Sequence, residues 1–585
     1  MREQANEQPL FLRIVTLPNL AIGLEKAAFA SLLVLSAVFA FEARQPVLSF
    51  AKSIKLTTVE CIIATVLVLW IASQIASQKT PRIPHRIAAS LLVWLGFMLV
   101  SALAASSHRS DTLYFMGRMV TGVLIGWTAY NLIDNPFRLR MVLIGLAISG
   151  AIVSLLGLAE ALGVQSILGW LSNFKVSQTR IGDVIRISST LSYATITAMV
   201  LEMILAPSLM LVLLAKSLWF RLLSGGVVLV ALLGIVLTLS RAGIIALIGG
   251  LALIAVYGFL WHERRLIVGS IAATAALGLF VILTLVLKPV TSLRLSSETE
   301  QSWYRSGYDV PEQIEARPGS IVEVAVRLTN EGDRTWNTLN QTPFELSYHL
   351  YDEQHNPITY EGDRSPLPVE VAPGQSISVQ AQVSTPNRVG TYFVEWDLLQ
   401  EDIVWFSWKG NLTALTRLNV AGAAVEMPAR INRSPPPTDL RVILPTPPRS
   451  VLWRVALEIA RDHPLLGIGP DNFRWQYGNY LNLNWWNTDI HSNNLYLEWL
   501  ADTGLPGFLL FLIFSYVMFR SVLPSRYDRS NEQKLILLAL VASLAIWYIH
   551  GLFDYFFEFT PTYVVFWLIL GFALRVRGKT YADRI

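Results

Sequence analysis

Long apolar stretches are the feature that most constrains how this 585-residue chain can fold. A hydrocarbon layer about 30 Å thick is crossed by a helix of about 20 consecutive apolar residues. Stretches of this kind lie at about 21–41, 56–76, 87–105, 113–131, 140–161, 188–215, 222–239, 242–260, 266–287, 506–523, 534–552 and 561–575. Only 15% of the residues are charged, whereas a soluble domain carries about a quarter. We therefore predict an all-α polytopic membrane protein with about 12 transmembrane helices.

The basic residues in the short loops predict the orientation of the helices. One set of alternate loops, together with the two tails, holds 20 Lys and Arg residues, and the opposite set holds 8. Because cytoplasmic loops are enriched in Lys and Arg, both termini are predicted to be cytoplasmic. The long hydrophilic segment between the ninth and tenth helices then faces outward.

The first part of that hydrophilic segment has the pattern of a β domain. Residues 320–328 and 376–383 alternate apolar and polar side chains at period two, and Gly- and Asn-containing turns separate such strands. Four tryptophans fall in this part: Trp336, Trp396, Trp405 and Trp408. They either fill a sandwich core or form a platform for stacking sugars, and the core is favoured because small β-sandwiches commonly bury a Trp. The pattern resembles an immunoglobulin-like module of surface proteins.

The stretch around His491 is the main candidate for a reactive site. His491 precedes a short amphipathic helix that 504–507 interrupts before the next apolar run. Ser492 or Asn493 can cap this helix, and a continuous helix would bring Glu498 near His491. A histidine beside a carboxylate at the membrane boundary can act as a general base. The alternative is a polar loop residue at a helix start.

Several arginines lie on the predicted outer side, although Lys and Arg are fewer there than in the cytoplasmic loops, and their presence requires an explanation. They include Arg118, Arg186, Arg241 and Arg454. A guanidinium stays charged and matches phosphate with two hydrogen bonds, so such a cluster suits a membrane-anchored phosphate or diphosphate. The alternative is that these side chains snorkel to lipid headgroups. For Arg186 this explains the residue as well as phosphate binding does, whereas for Arg241 it explains the residue less well.

A third polar group lies near the outer end of the eleventh predicted helix. His550, Asp554 and Glu558 follow one another at four-residue intervals, which predicts one shared helix face. One histidine and two carboxylates are not a specific metal signature, so we predict a polar helix end packed against the site. Substrate binding is assigned to Arg186, Arg118, Glu498, His550 and Asp554.

Three motifs carry a resemblance to a known family. They are Thr238-Leu239-Ser240-Arg241-Ala242-Gly243, His463-Pro464-Leu465-Leu466-Gly467-Ile468-Gly469-Pro470-Asp471-Asn472-Phe473, and His491-Ser492 followed by Gly504-Leu505-Pro506-Gly507. With these motifs, in this order, the sequence resembles the O-antigen ligase and O-antigen polymerase superfamily of bacterial membrane glycosyltransferases. The resemblance covers about residues 20–287 and 450–575.

The resemblance implies a metal-independent, inverting glycosyltransferase without a cofactor. Its donor would be an undecaprenyl diphosphate-linked glycan and its acceptor a glycan or lipid, on the outer face of a bacterial cytoplasmic membrane. Membrane lipids would be partners and nucleic acids would not. His491 would be the base, while Arg241 and Arg454 would bind the diphosphate. An inserted immunoglobulin-like domain is unusual in such ligases.

These inferences divide the chain into five predicted parts. They are helices 1–9 in residues 1–289, an immunoglobulin-like β-sandwich insert at 290–432, a Pro-rich linker at 433–449, an outward catalytic segment at 450–505, and helices 10–12 with a cytoplasmic tail at 506–585. The main alternative function is a transporter or flippase for a lipid-linked or small anionic substrate. Transporters place their sites near the bilayer midplane, whereas the charged residues here cluster at the outer edge. A third reading, a surface-binding module merely anchored by its helices, would not require so many spans.

Overall fold

The computed structural model is mostly helical and describes most of the chain. It covers residues 18–50, 54–175, 179–181, 184–288, 291, 304–338, 343–354, 357–359, 362–400, 404–407, 411–422, 447, 449–481, 488–524 and 531–582. The helices before the long hydrophilic segment are α1 (Pro18–Val38), α2 (Thr58–Ser77), α3 (His85–Ala104), α4 (Arg109–Leu132), α5 (Pro136–Ala161), α6 (Gln165–Leu171), α7 (Ala194–Leu214), α8 (Leu218–Leu237), α9 (Arg241–Trp261) and α10 (Arg264–Leu287). Those after the β domain are α11 (Arg449–Asp462), α12 (Phe473–Tyr480), α13 (Leu495–Val522), α14 (Asn531–His550) and α15 (Thr560–Ala582).

Eleven helices of the described chain are long and apolar enough to cross a membrane. They are α1, α2, α3, α5, α7, α8, α9, α10, α13, α14 and α15. α7, α14 and α15 are largely buried inside the bundle, whereas α1, α2 and α10 expose most of their apolar surface. Exposed apolar side chains are expected where a helix faces lipid rather than water.

The fourth predicted span corresponds to α4, which has the length of a span but a more polar composition. It nevertheless packs closely on α15, because Gly122 and Gly126 leave room for Trp567. A Cβ at Gly126 would lie 2.8 Å from the Trp567 carbonyl oxygen. Small residues of this kind allow two membrane helices to approach each other closely. α4 is therefore part of the helix bundle, and a twelfth span remains a prediction.

α13 joins two segments that the sequence predicted as separate. It runs from Leu495 to Val522 with one non-helical residue inside, Gly504, whose φ is +66°. Pro506 follows in the next segment, where its missing N–H removes a helical bond. The amphipathic helix after His491 and the tenth predicted span are thus one kinked element.

The β-rich region consists of two sheets around a common core. Its strands are β5 (Ser306–Asp309), β6 (Gln313–Ala316), β7 (Ile321–Asn330), β8 (Phe344–Asp352), β9 (Pro357–Thr359), β10 (Ser365–Pro366), β11 (Ser376–Ser384), β12 (Gly390–Gln400), β13 (Val404–Trp405) and β14 (Ala414–Val420). One sheet has the order β10-β8-β12-β14-β6, with β9 on β8 and β13 on β12, and the other is β11-β7-β5. Four shorter strands form two hairpins among the helices, β1 (Leu48–Phe50) with β2 (Ile54–Leu56) and β3 (Thr179–Ile181) with β4 (Val184–Arg186).

The two alternating stretches predicted as strands are confirmed and pair with each other. β7 and β11 are antiparallel, with Val326 opposite Val379. Trp336 and Trp396 are fully buried in the common core of the two sheets. Trp405 is 4% exposed and packs against the His349 ring with the Arg364 guanidinium over it, so it does not form a surface platform either. Trp408 and most of the predicted 433–449 linker lie outside the described residues.

Candidate functional site

Several helix connections meet at one end of the bundle, which we call the loop end. Here the segment between α11 and α13 packs against the connections α3–α4 and α14–α15. The Ser101 hydroxyl donates to the Leu466 carbonyl over 2.6 Å, and the Leu495 N–H donates to the Gly551 carbonyl over 2.7 Å. These bonds join segments that are far apart in sequence.

The Gly/Pro turn at 464–473 is fixed to α13 by main-chain hydrogen bonds. The Leu505 N–H donates to the Pro464 carbonyl and the Gly469 N–H to the Asp502 carbonyl, both over 2.8 Å. The fully buried Asp502 carboxylate accepts from the Asp471 N–H at 2.7 Å and from the Phe473 N–H at 3.0 Å. Asp502 thereby determines where Asp471 and the start of α12 lie.

His491 is held between two carboxylates. Its Nδ1 lies 2.6 Å from Glu498 Oε1, and its Nε2 lies 2.8 Å from Glu558 Oε2. The other Glu498 oxygen accepts from the Ser492 N–H at 2.7 Å, which fixes the backbone that carries the ring. Since ionised carboxylates only accept, an imidazole bonded to one on each side carries a proton on both nitrogens.

Arg474 and Asp471 extend this cluster. An Arg474 nitrogen lies 2.8 Å from Asp471 Oδ2, and a second one lies 3.5 Å from Glu558 Oε1. Asp471 Oδ1 is 3.9 Å from His491 Nε2. The loop end therefore holds one imidazole, one guanidinium and three carboxylates in mutual contact.

The electrostatics of the cluster favour its charged form. Burial lowers the pKa of His491, but the charges of Glu498 and Glu558 outweigh this and hold its pKa well above the usual value. Burial raises the pKa of Glu558, yet His491 and Arg474 bring it down to about 2. For Asp471 burial prevails over the attraction of Arg474 and raises its pKa to about 6.

The α8–α9 turn carries Arg241. Ser240 caps α9 by accepting from the Gly243 N–H at 3.2 Å, and Leu239 adopts a φ of +53°. Arg241 is the first helical residue and borders a narrow, mostly apolar groove between α8, α9 and α10. The adjacent Arg186 is buried, and its Nε donates to the Thr238 carbonyl at 3.0 Å.

Two predicted site residues belong to the His491 cluster or border it. Glu498 contacts the ring directly. Arg118 donates to the Thr560 hydroxyl at 2.9 Å and lies 5.3 Å from the centre of the Tyr563 ring. It lines the same polar cleft as Glu558.

Three other predicted site residues have surroundings that do not connect them to His491. Arg454 is exposed on α11 and pairs with Glu458 at 3.7 Å. His550 is fully buried, with its Nδ1 3.0 Å from Glu202 Oε2. Asp554 lies 4.0 Å from Arg449 and accepts from the Tyr555 N–H. Among the described residues, none of these three side chains forms a hydrogen bond, an ion pair or a ring contact with His491.

The predicted shared helix face of His550, Asp554 and Glu558 is wrong. α14 ends at His550, and the following residues form turns before α15. Glu558 reaches His491 because the chain leaves the helix. The sequence signal for Glu558 was its place in a polar stretch after a span, but its partner is 67 residues away in the chain.

Sequence reasoning missed Asp471, Arg474, Asp502 and Glu558 as site residues. Asp471 stands inside the Gly/Pro motif at 463–473, and Arg474 follows it directly. A charged pair at the end of such a motif was the signal that could have identified both. Asp502 had no comparable signal, because its role depends on backbone groups of a distant segment.

Comparison with curated proteins gives no match to this chain. Two solved structures show partial likeness: a PapD-like domain of human CEP192, at 16% identity, covers 21% of this chain and 89% of that domain with a TM-score of 0.13. The Pseudomonas fluorescens DNA glycosylase AlkC, at 9% identity, covers 58% of this chain and all of that one with the same TM-score. Scores this low support no structural argument.

A match to a protein family falls on the segment that builds the site. Residues 432–512 match the O-antigen ligase family. This range contains α11, the 464–473 turn, α12, His491 and Glu498, which together supply most of the cluster. Through this segment, 81 of its 585 residues, the chain is similar to the O-antigen ligase family.

Proposed function

We propose that the protein transfers a glycan from a polyprenyl diphosphate carrier, typically undecaprenyl diphosphate, to an acceptor hydroxyl at the loop end. The observation that carries this proposal is His491 between Glu498 and Glu558, inside the segment that matches the family. Glycosyl transfer requires removal of a proton from the acceptor and stabilisation of the departing diphosphate. The cluster offers groups for the first task and neighbouring arginines for the second.

The base in this proposal is the His491–Glu558 pair rather than an isolated imidazole. Both ring nitrogens carry a proton at rest, so the ring can accept the proton of the acceptor hydroxyl only after it has passed its Nε2 proton to Glu558. Glu498 is fully buried and also holds the Ser492 N–H, whereas the Glu558 side chain is 19% exposed and lies in a loop. An acceptor hydroxyl would therefore enter on the Glu558 side. Coupled groups of this kind titrate as a unit, and the pair takes up the proton as one.

Three arginines are candidates for the diphosphate. Arg241, the first residue of α9, would bind the diphosphate of a carrier lipid, as the family resemblance implies. Arg474 is in contact with the reacting cluster, while Arg454 follows from the family resemblance alone. Guanidinium groups stabilise the charge that develops on the leaving oxygen. Direct displacement at the anomeric carbon would invert its configuration and needs neither a covalent intermediate nor a metal.

The proposal includes the location of the site. Many apolar helices and an O-antigen ligase segment indicate a multi-pass bacterial membrane protein. The charge bias of the loops supports cytoplasmic termini and an outward-facing loop end. The two sheets with a common core are consistent with an immunoglobulin-like insert on the same side.

Glycan analysis of a deletion strain tests the proposal. Chains of a single repeat would identify a polymerase, and full-length chains that remain on the lipid carrier would identify a ligase. Complementation with the wild-type gene should restore the normal profile, and His491→Ala should not, although the variant accumulates in membranes. A normal glycan profile in the deletion strain would reject the function.

A further inference from the structure

A polar cleft of about 350 Å³ adjoins the His491 cluster at the loop end. It lies between the α1–α2 connection, the first turns of α2 and α4, and the start of α15. Its ionisable lining residues are Glu42, Arg44, Glu60, Tyr114, Arg118 and Glu558. A larger cavity of about 710 Å³ between α7, α8 and α10 is lined by apolar residues and three arginines, Arg221, Arg264 and Arg265, and shares no residue with this cleft.

The charges of the cleft are unsuited to a diphosphate. Three carboxylates and two guanidinium groups line it, which leaves an excess of negative charge. Arg118 uses one of its N–H groups on the Thr560 hydroxyl at 2.9 Å, and Glu42 accepts from the Thr57 hydroxyl at 2.9 Å, which leaves further N–H groups and carboxylate oxygens for other partners. Like charges placed together disfavour binding, so an anionic group would be excluded from this cleft.

The same groups are suited to a sugar. Hydroxyls can donate to carboxylates and accept from guanidinium groups, and both are available here. The Tyr114 side chain is 52% exposed and offers a ring face with a polar tip. A cleft of this size with few, convergent polar groups is typical of a small-ligand site.

The position of Glu558 connects the cleft to the reaction. Its carboxylate lines the cleft and also contacts His491 Nε2 at 2.8 Å. A hydroxyl bound at this wall of the cleft would therefore be separated from the imidazole only by the Glu558 carboxylate. Within the described part of the chain, no other residue of the cleft lining forms a hydrogen bond, an ion pair or a ring contact with His491.

We infer that this cleft binds the acceptor sugar, an uncharged hydroxyl-bearing unit, and directs one hydroxyl toward the His491–Glu558 pair. The inference rests on the proposed glycosyl transfer. It assigns the acceptor to the side of the site formed by α2 and α4, and leaves the donor lipid to Arg241.

Kinetics with purified full-length protein test the inference. The donor is the lipid-linked oligosaccharide of the native strain, and the acceptors are lipid A–core glycolipid and, separately, the same lipid-linked repeat. Arg44→Ala and Tyr114→Ala change two exposed residues of the lining. Arg520→Ala and Tyr516→Ala, exposed on α13, are matched controls. Binding of undecaprenyl diphosphate alone is measured for every variant.

We expect the KM for the acceptor to rise by about tenfold in both cleft variants, because each loses one polar or stacking contact. The kcat and the affinity for undecaprenyl diphosphate should stay at wild-type values, as should all constants of the two controls. Active cleft variants with an unchanged acceptor KM would overturn the inference while the proposed function stands. A weaker affinity for undecaprenyl diphosphate would also overturn it, since the cleft would then hold the donor. Absence of transfer by the wild-type protein with both acceptors would reject the function itself.

Discussion

Two histidines pair with carboxylates at the loop end of the bundle, and their surroundings differ. His491 bonds a carboxylate on each ring nitrogen, and one of these, Glu558, borders an open cleft. His550 bonds only one, Glu202, and both side chains are fully buried between α7 and α14. The Nε2 of His550 and the second oxygen of Glu202 have no hydrogen-bond partner among the described residues.

The difference separates a reactive arrangement from a structural one. A proton-transfer group needs hydrogen-bond reach to a substrate atom, which the Glu558 side of His491 allows. The His550–Glu202 pair joins two helices out of reach of solvent. The assignment of His550 to substrate binding from the sequence remains a prediction without a supporting contact in the described structure.

The strongest contrast is expected between His491→Ala and the double variant Glu202→Gln, His550→Gln. The first should lower transfer by about 10²-fold or more, the usual contribution of a general base. The double variant replaces both partners by amides of similar size and leaves neither one unmatched, so it should retain most of the activity. Transfer in membranes with equal protein amounts measures both. Comparable losses in the two would abolish the distinction between the histidines.

Glu558→Gln should have the next largest effect. The amide keeps the size of the side chain but cannot take up a proton, so the coupled pair loses one member. We expect transfer to fall by about 10²-fold while undecaprenyl diphosphate still binds. Glu458→Gln, on the exposed face of α11, is the matched control. If Glu558→Gln turned over as fast as the wild type, Glu558 would not take part in proton uptake and the imidazole alone would be the base.

Arg474→Lys compared with Arg454→Lys distinguishes the two arginines by their surroundings. Arg474 contacts Asp471 and lies near Glu558, so a lysine there loses the two-pronged geometry. Arg454 is exposed beside Glu458, where an ammonium can serve equally well. We expect a loss of about tenfold in kcat/KM for Arg474→Lys and a smaller one for Arg454→Lys. The reverse order would favour the assignment from family resemblance.

The smallest effect concerns stability and pH. The pKa of His491 is raised, so its pairing stabilises the fold fully below about pH 6.5 and less as the pH rises through the folded-state value. The pKa of Glu558 is lowered to about 2, so its contribution is present above about pH 4.5 and is lost as the pH falls toward 2. The Tm difference between wild type and His491→Gln should therefore shrink at alkaline pH, as measured by thermal unfolding in detergent. A difference that grows with pH would contradict the raised pKa.

The sequence predicted the helices well because long apolar stretches have few alternative structures. It placed α2 at 56–76, against Thr58–Ser77 in the structure. It separated the two halves of α13, because Gly504 and Pro506 are typical helix breakers and the bonds that hold the joint come from residues 464–469. It did not predict that α4 packs on α15 through glycines, since that depends on the partner helix.

The candidate site was predictable only where its contacts are local. Glu498 follows His491 by seven residues, and their side chains lie 2.6 Å apart. The predicted continuous helix is wrong, because the helix begins at Leu495 with Asn494 as its cap and His491 precedes it. Glu558 and Asp502 act across long sequence separations, through a loop and through backbone N–H groups. Periodicity carries no information about such contacts. The substrate roles of the arginines remain predictions for the same reason.

The glycines that join the 464–473 turn to α13 have a consequence for genetics. Gly467, Gly469 and Gly504 all have positive φ values, and a Cβ at any of them would meet atoms within 3 Å. At Gly467 and Gly504 the nearest atoms are backbone, which cannot rotate away. A random screen for loss-of-function alleles should therefore recover substitutions at these uncharged positions together with changes at His491. Many such alleles would be defective at raised temperature only, and second-site suppressors would be found in the opposing segment of the same joint rather than among the charged residues.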